Sequence, residues 1–140
     1  MSAAQRFAAR YGAYVLAIAL AACAGDRDKP PELNILPSDY KTEILLEFPK
    51  ILGDPTNIRG AFVSDPLFDP NGAIKHYYSC VRFNPRDPAT KQYLGSRDYI
   101  AHYFSGHLNQ FVPAAKEQCG SAAYKPFPEL EKLCYGHHCP

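Results

Sequence analysis

Thirteen prolines in 140 residues limit how far any regular element of this chain can run. Each one fixes φ and removes a backbone donor, which interrupts helix interiors and central strands. The expected product is a loop-rich domain of short elements. Between the prolines, apolar periodicity decides the element type. Ser38 or Asp39 can cap a helix in which Ile44, Leu45, Phe48, Ile51 and Leu52 recur near helical spacing. Pro49 predicts a kink in that helix, and Gly53-Asp54-Pro55 predicts its end.

Residues 58–64 predict a first strand, stopped by Asp65-Pro66 and by the turn signals Asp69-Pro70-Asn71-Gly72. Residues 74–83 predict the strongest strand, rich in tyrosine and valine around Cys80. Residues 84–90 read as a loop. Residues 98–104 and 107–112 are two β-type runs joined by Ser105-Gly106, the pattern of a tight hairpin. Pro113 can open a short helix through Cys119, and Pro128 another through Leu133. A helix, about four strands and short C-terminal helical turns predict an α+β fold over 38–133. The helix packs on a mostly antiparallel sheet so that both bury their apolar faces.

The N-terminal stretch has a different logic. Residues 1–22 hold Arg6 and Arg10, no acidic residue, and an apolar run from Tyr11 to Leu20 followed by Ala21-Ala22. A positive start, a short apolar centre and small residues before a cleavage point describe a secretory signal peptide. The run falls short of the roughly 20 apolar residues a membrane-spanning helix needs. Leu20-Ala21-Ala22-Cys23 resembles the lipobox of bacterial lipoproteins. The resemblance implies diacylglycerol on the Cys23 thiol, cleavage before it, and acylation of the new amino group with palmitate-type chains. Two or three chains, at about 0.8 kcal/mol per buried methylene, make a stable anchor. Ala24 follows the cysteine, where an aspartate favours inner-membrane retention in enterobacterial lipoproteins, so the resemblance favours the outer membrane. Residues 23–37, polar and carrying Pro30, Pro31 and Pro37, read as a lipidated flexible tether.

Assigning Cys23 to lipid leaves Cys80, Cys119, Cys134 and Cys139, an even set. In an oxidising compartment four cysteines read as two disulfides with three possible connectivities. We favour Cys80–Cys119, tying a strand to the segment after the last strand, with Cys134–Cys139 closing a short loop around Gly136. The longer closure adds on the order of 3–4 kcal/mol on the chain-entropy argument.

Several short segments carry a second resemblance: Asp54-Pro-Thr-Asn-Ile-Arg59, Cys80-Val-Arg-Phe-Asn84, Leu108-Asn-Gln-Phe-Val112 and Glu117-Gln-Cys-Gly120 through Leu130. Together they resemble small alphaproteobacterial lipoproteins of no assigned activity, from the first helix to Leu133. Pro49 and the 134–140 tail depart from that pattern, so the resemblance lends the Cys134–Cys139 pairing no support.

Removal of residues 1–22 leaves thirteen basic residues against fourteen acidic ones. A nucleic-acid binder would carry a basic stripe, and none is present, so no nucleic-acid partner is expected. The sequence has no Gly-x-Ser-x-Gly, no His-Glu-x-x-His and no glycine-rich phosphate loop. The expectation is accordingly a non-enzymatic protein without a cofactor. The tail Cys134-x-x-His137-His138-Cys139 offers ligand types that zinc and copper accept, although six residues at a chain end make a poor cage. His76, His102 and His107, with Asp98, Arg97 and Arg82 as partners, are the other titratable candidates. Tyr77, Tyr78, Tyr93, Tyr99 and Tyr103 surround the sheet, and alternation places Tyr77 and Tyr78 on opposite faces. The leading expectation is an envelope lipoprotein facing the periplasm that acts as a binding or structural module for a protein or glycan. The alternative is a periplasmic enzyme or metal-binding protein using the strand histidines or the Cys/His tail.

Overall fold

The computed structural model describes residues 34–133. The signal segment 1–22, the lipidation residue Cys23, most of the tether, and Cys134, His137, His138 and Cys139 lie outside the described residues. Among the described residues no helix is long and apolar enough to cross a membrane.

Eight elements follow in order: α1 (Tyr40–Ile51), β1 (Arg59–Ser64), β2 (Leu67–Asp69), β3 (His76–Asn84), β4 (Arg97–Phe104), β5 (His107–Pro113), β6 (Tyr124–Pro126) and α2 (Pro128–Glu131). The strands form one sheet in the order β5-β4-β3-β1-β6, with every pairing antiparallel. β2 also pairs with β3, along the edge that β1 occupies further on. The α+β reading with a mostly antiparallel sheet therefore holds, but the sheet has six strands rather than about four.

The two extra strands are three residues each, too short for a period of two to register in sequence. β2 is a continuation of β1 beyond Asp65-Pro66. Val63 faces Val81 while Leu67 faces Tyr78, so one extra residue is absorbed at the proline. β6 ends on Pro126, a residue an edge strand tolerates.

A second correction concerns residues 113–119. Pro113 closes β5 rather than opening a helix, because Ala114 N still donates to Asp98 O at 2.9 Å and prolongs the strand pairing. Beyond it lie turns, held by bonds such as Gln118 N to Ala115 O at 3.0 Å and Ala122 N to Cys119 O at 3.2 Å. Pro128 does open α2, as its position predicts. Pro49 sits in the last turn of α1, where one missing bond to Leu45 costs little.

The core lies between the two helices and one face of the sheet. Ile44 and Phe48 of α1 meet Val81, Phe83, Ala101, Tyr103 and Phe111, and Phe127 and Leu130 join at the α2 end. The Phe48 ring stands edge-on to Phe83 at 4.7 Å, a favoured aromatic arrangement. Polar contacts key each helix to its strand. Glu43 accepts from Leu108 N at 2.6 Å, and Glu131 accepts from Ala61 N at 2.9 Å. Ala61 needs that side-chain acceptor because β1 shifts register between Arg59 and Phe62, where Gly60 takes a φ of +57°.

Ser79 and Tyr103 place hydroxyls inside this core, neither in hydrogen-bonding geometry with a partner among the described residues. Burial drives the Tyr103 phenol well above its ordinary pKa; the nearby Ser79 hydroxyl acts in the opposite sense but more weakly. A buried hydroxyl without a bond has lost its water for nothing in return. Tyr103→Phe should therefore leave stability unchanged or raise it by up to about 1 kcal/mol. Urea unfolding checks this, and a loss of more than about 1 kcal/mol would show that the hydroxyl is bonded.

Candidate functional site

The sheet face turned away from the helices collects the chemistry. Alternation along β3 sends Tyr77, Ser79, Val81 and Phe83 toward the core, and His76, Tyr78, Cys80 and Arg82 to the other side. On β4 the opposite set is Asp98, Ile100, His102 and Phe104, because Arg82 faces Asp98 and Tyr78 faces His102. Tyr77 and Tyr78 do part to opposite faces, and Tyr99 and Tyr103 follow Tyr77.

One end of this face is covered. Cys80 and Cys119 are joined in a disulfide with a Cα separation of 5.8 Å, as favoured from the sequence. Cys80, Cys119 and Ile100 form a small second core with Ala114, Ala122, Tyr124 and Tyr78. Beside it Arg82 grips Asp98 with two bonds, Nε to Oδ1 at 2.7 Å and the terminal nitrogen to Oδ2 at 2.9 Å. The Tyr124 hydroxyl donates to Asp98 Oδ1 at 3.2 Å, and the Arg82 guanidinium lies 4.4 Å above the Tyr124 ring. Burial, with the Asp98 charge second, pushes the Tyr124 phenol up to about 12. Asp98 and Arg82 thus pair with each other and with Tyr124, and serve to hold β6 and the disulfide segment against the sheet.

The other end carries two histidines. His76 Nε2 and His102 Nδ1 are 2.7 Å apart, and His76 Nδ1 is 2.7 Å from the Ile74 carbonyl. The carbonyl can only accept, so His76 Nδ1 carries a hydrogen. With both rings neutral, His76 Nε2 is then a bare acceptor, and His102 must donate from Nδ1. Phe104, directly across the strands, stacks on the His76 ring with centroids 4.9 Å apart and a 16° tilt. Burial first, and then the neighbouring His76, lower the His102 pKa, favouring its neutral form.

Of the residues singled out from sequence, His76 and His102 converge while His107 does not. His107 is 82% exposed in its side chain and binds Glu43 of α1 at 3.0 Å. Tyr93 lies in the 85–96 connection, under the Arg59 guanidinium at 4.1 Å, with its hydroxyl donating to Asn57 O at 3.0 Å. The Ile74 carbonyl and Phe104 were not singled out, because their roles depend on cross-strand register. Among the described residues no group of three or more His, Cys, Asp or Glu side chains is placed to hold a metal ion.

Arg82 lowers the Asp98 pKa chiefly through its hydrogen bonds, with Tyr124 adding to the effect. A carboxyl lowered on folding stabilises fully above its unfolded pKa, and that contribution vanishes as pH falls through the folded value. The side chains are 42% and 30% exposed, so solvent screening limits the pair to on the order of 1 kcal/mol. Asp98→Asn should therefore cost about that much near pH 7, and the gap to wild type should close toward about pH 2. Urea titrations across that range check the sign, and an unchanged gap at low pH would refute the assignment.

Comparison with models of protein families, with curated proteins and with solved structures finds no match to this chain.

Proposed function

We propose that this protein is an exported lipoprotein of the bacterial cell envelope, anchored through acylated Cys23, whose domain is a non-catalytic binding module. The observation that carries the reading is the unequal covering of the sheet. One face is packed by α1 and α2. On the other, the disulfide-tied 114–124 segment packs at the Cys80–Ile100 end. Tyr78 at its border, and His76, His102 and Phe104 beyond it, remain partly accessible among the described residues. Tyr78, His76 and His102 each offer a ring face with a hydrogen-bonding edge, and Phe104 adds an apolar ring, a combination that suits contact with a protein or a glycan.

The Cys80–Cys119 disulfide supports export, because such bonds persist in oxidising compartments. A lipobox-like Leu20-Ala21-Ala22-Cys23 supplies the address, and Ala24 favours the outer membrane. A domain tethered in this way stands in the periplasm.

Cys23→Ser should release the protein from the membrane fraction or block processing of the precursor, read by fractionation and gel mobility. Unchanged anchoring would overturn the lipoprotein reading. For the binding role, pull-down from native envelope with the anchor intact should return a protein or glycan partner that is lost in Tyr78→Ala. Recovery of neither, above a control carrying only the lipidated tether, would remove the binding role and leave the anchor standing.

A further inference from the structure

We propose that His76 and His102 form an open two-histidine site for a divalent transition ion, copper(II) foremost, on the uncovered face of the sheet. The facing donors are His76 Nε2 and His102 Nδ1, 2.7 Å apart. The inference is independent of the lipid anchor.

The first ground is orientation. The Ile74 carbonyl behind His76 fixes the hydrogen on Nδ1 and aims the Nε2 lone pair at His102. A carbonyl on the far nitrogen is the usual support of a metal-bound imidazole, because it sets the tautomer and holds the ring. Phe104 stacks on the face of the same ring. His102 needs only to move its hydrogen from Nδ1 to Nε2, which leaves the number of protons on the pair unchanged. Binding then replaces the hydrogen bond between the rings by two bonds to one ion.

The second ground is spacing. Two nitrogens each about 2.0 Å from an ion stand roughly 2.8 Å apart at a right angle and roughly 3.3 Å apart at a tetrahedral angle. The observed 2.7 Å is close to the right-angle value and well short of the tetrahedral one. The rings must still turn outward, since their nitrogens now face along a hydrogen bond, but only a slight increase in separation is needed. Right-angle geometry suits copper(II) and nickel(II), whereas structural zinc sites are tetrahedral. Among divalent first-row ions copper(II) binds a given nitrogen site most tightly.

The third ground is the setting. Both histidines stand in strands of one ladder, so their Cα positions are held by backbone pairing rather than by a loop. Asp69 faces His76 across the β2–β3 pairing and brings a carboxylate to the same neighbourhood. Its Oδ1 is engaged with Asn71 N and Gly72 N, which fixes the group in place as a counter-charge. Two protein ligands leave the remaining coordination positions to water or to an exogenous donor, so the site would acquire and release its ion rather than keep it as a structural element.

The test uses the untagged full chain in detergent, titrated with copper sulfate in a non-coordinating buffer. Calorimetry gives affinity and electron paramagnetic resonance counts the nitrogen ligands. His137→Asn/His138→Asn separates this site from the tail histidines. One copper ion per chain should bind in that background. Adding His76→Gln or His102→Gln should weaken it at least tenfold and reduce the nitrogen count from two to one. Circular dichroism of the metal-free variants serves as the folding control. Paramagnetic broadening in the otherwise unaltered chain, centred on His76 and His102, gives an answer independent of any substitution at the pair. Loss of binding with the tail substitutions alone, broadening centred elsewhere, or no binding at all would overturn the site and leave a hydrogen-bonded histidine pair.

Discussion

Seven cross-strand pairs join β3 to β4, from Tyr77 opposite Tyr103 to Phe83 opposite Arg97, and most other features follow from them. A one-residue slip in this register would exchange the faces of one strand relative to the other. Tyr99, Ala101 and Tyr103 would leave the core, and Ile100 and His102 would enter it. The observed register also aligns Arg82 with Asp98 and leaves His76 one step diagonal from His102, near enough for their rings to touch. The aromatic and aliphatic fill beneath α1 makes the alternative costly, since each large buried side chain contributes roughly 1.5–3 kcal/mol.

The peripheral elements attach to this ladder through carboxylates that accept from other parts of the chain. Glu43 reaches from α1 to Leu108, and Glu131 from α2 to Ala61. Asp54 collects Thr56 and the Arg86 guanidinium, joining the segment after α1 to the start of the β3–β4 connection. The Thr56 hydroxyl is the main cause of the lowered Asp54 pKa, with Arg86 contributing in the same direction. Hydrogen bonds to a charged acceptor are stronger than neutral ones, at about 1.5–3 kcal/mol each. In a domain broken up by proline, these few bonds take over work that longer helices and strands do elsewhere.

What the sequence makes legible divides along the same lines. The β4–β5 hairpin is readable because Ser105-Gly106 sets the turn that joins its strands; both residues have positive φ, at 53° and 82°, as a two-residue turn of this hand requires, whereas the register shift between His102 and Tyr103 lies beyond the turn's reach. Cys80–Cys119 is readable because four cysteines, with Cys23 read as the lipidation residue, allow only three connectivities. The β3–β4 register is not readable in the same way. Residues 85–96 between the strands are too long for turn chemistry to set it, and they carry local structure of their own: Asp87 accepts from Ala89 and Thr90, and Arg86 pairs with Tyr93. The histidine pair depends on that register, so His76 and His102 read from sequence only as separate candidates. β2 and β6 escape for a different reason. Their residues are strands only because β3 and β1 offer them an edge.

The disulfide and the histidine pair share one face of β3 but do different physical work. Cys80 and His76 are four residues apart on the same side of the strand, about 13 Å at strand rise. The disulfide ties Cys119, in the segment following β5, to the sheet and thereby covers Ile100. The histidines are positioned by the β3–β4 pairing and the Ile74 carbonyl, neither of which passes through the disulfide. Stability and site geometry are therefore separable on this face. Oxidation fixes how much of the sheet is hidden. Register decides which side chains are left beside it, and those are two imidazoles, two aromatic rings and a nearby carboxylate.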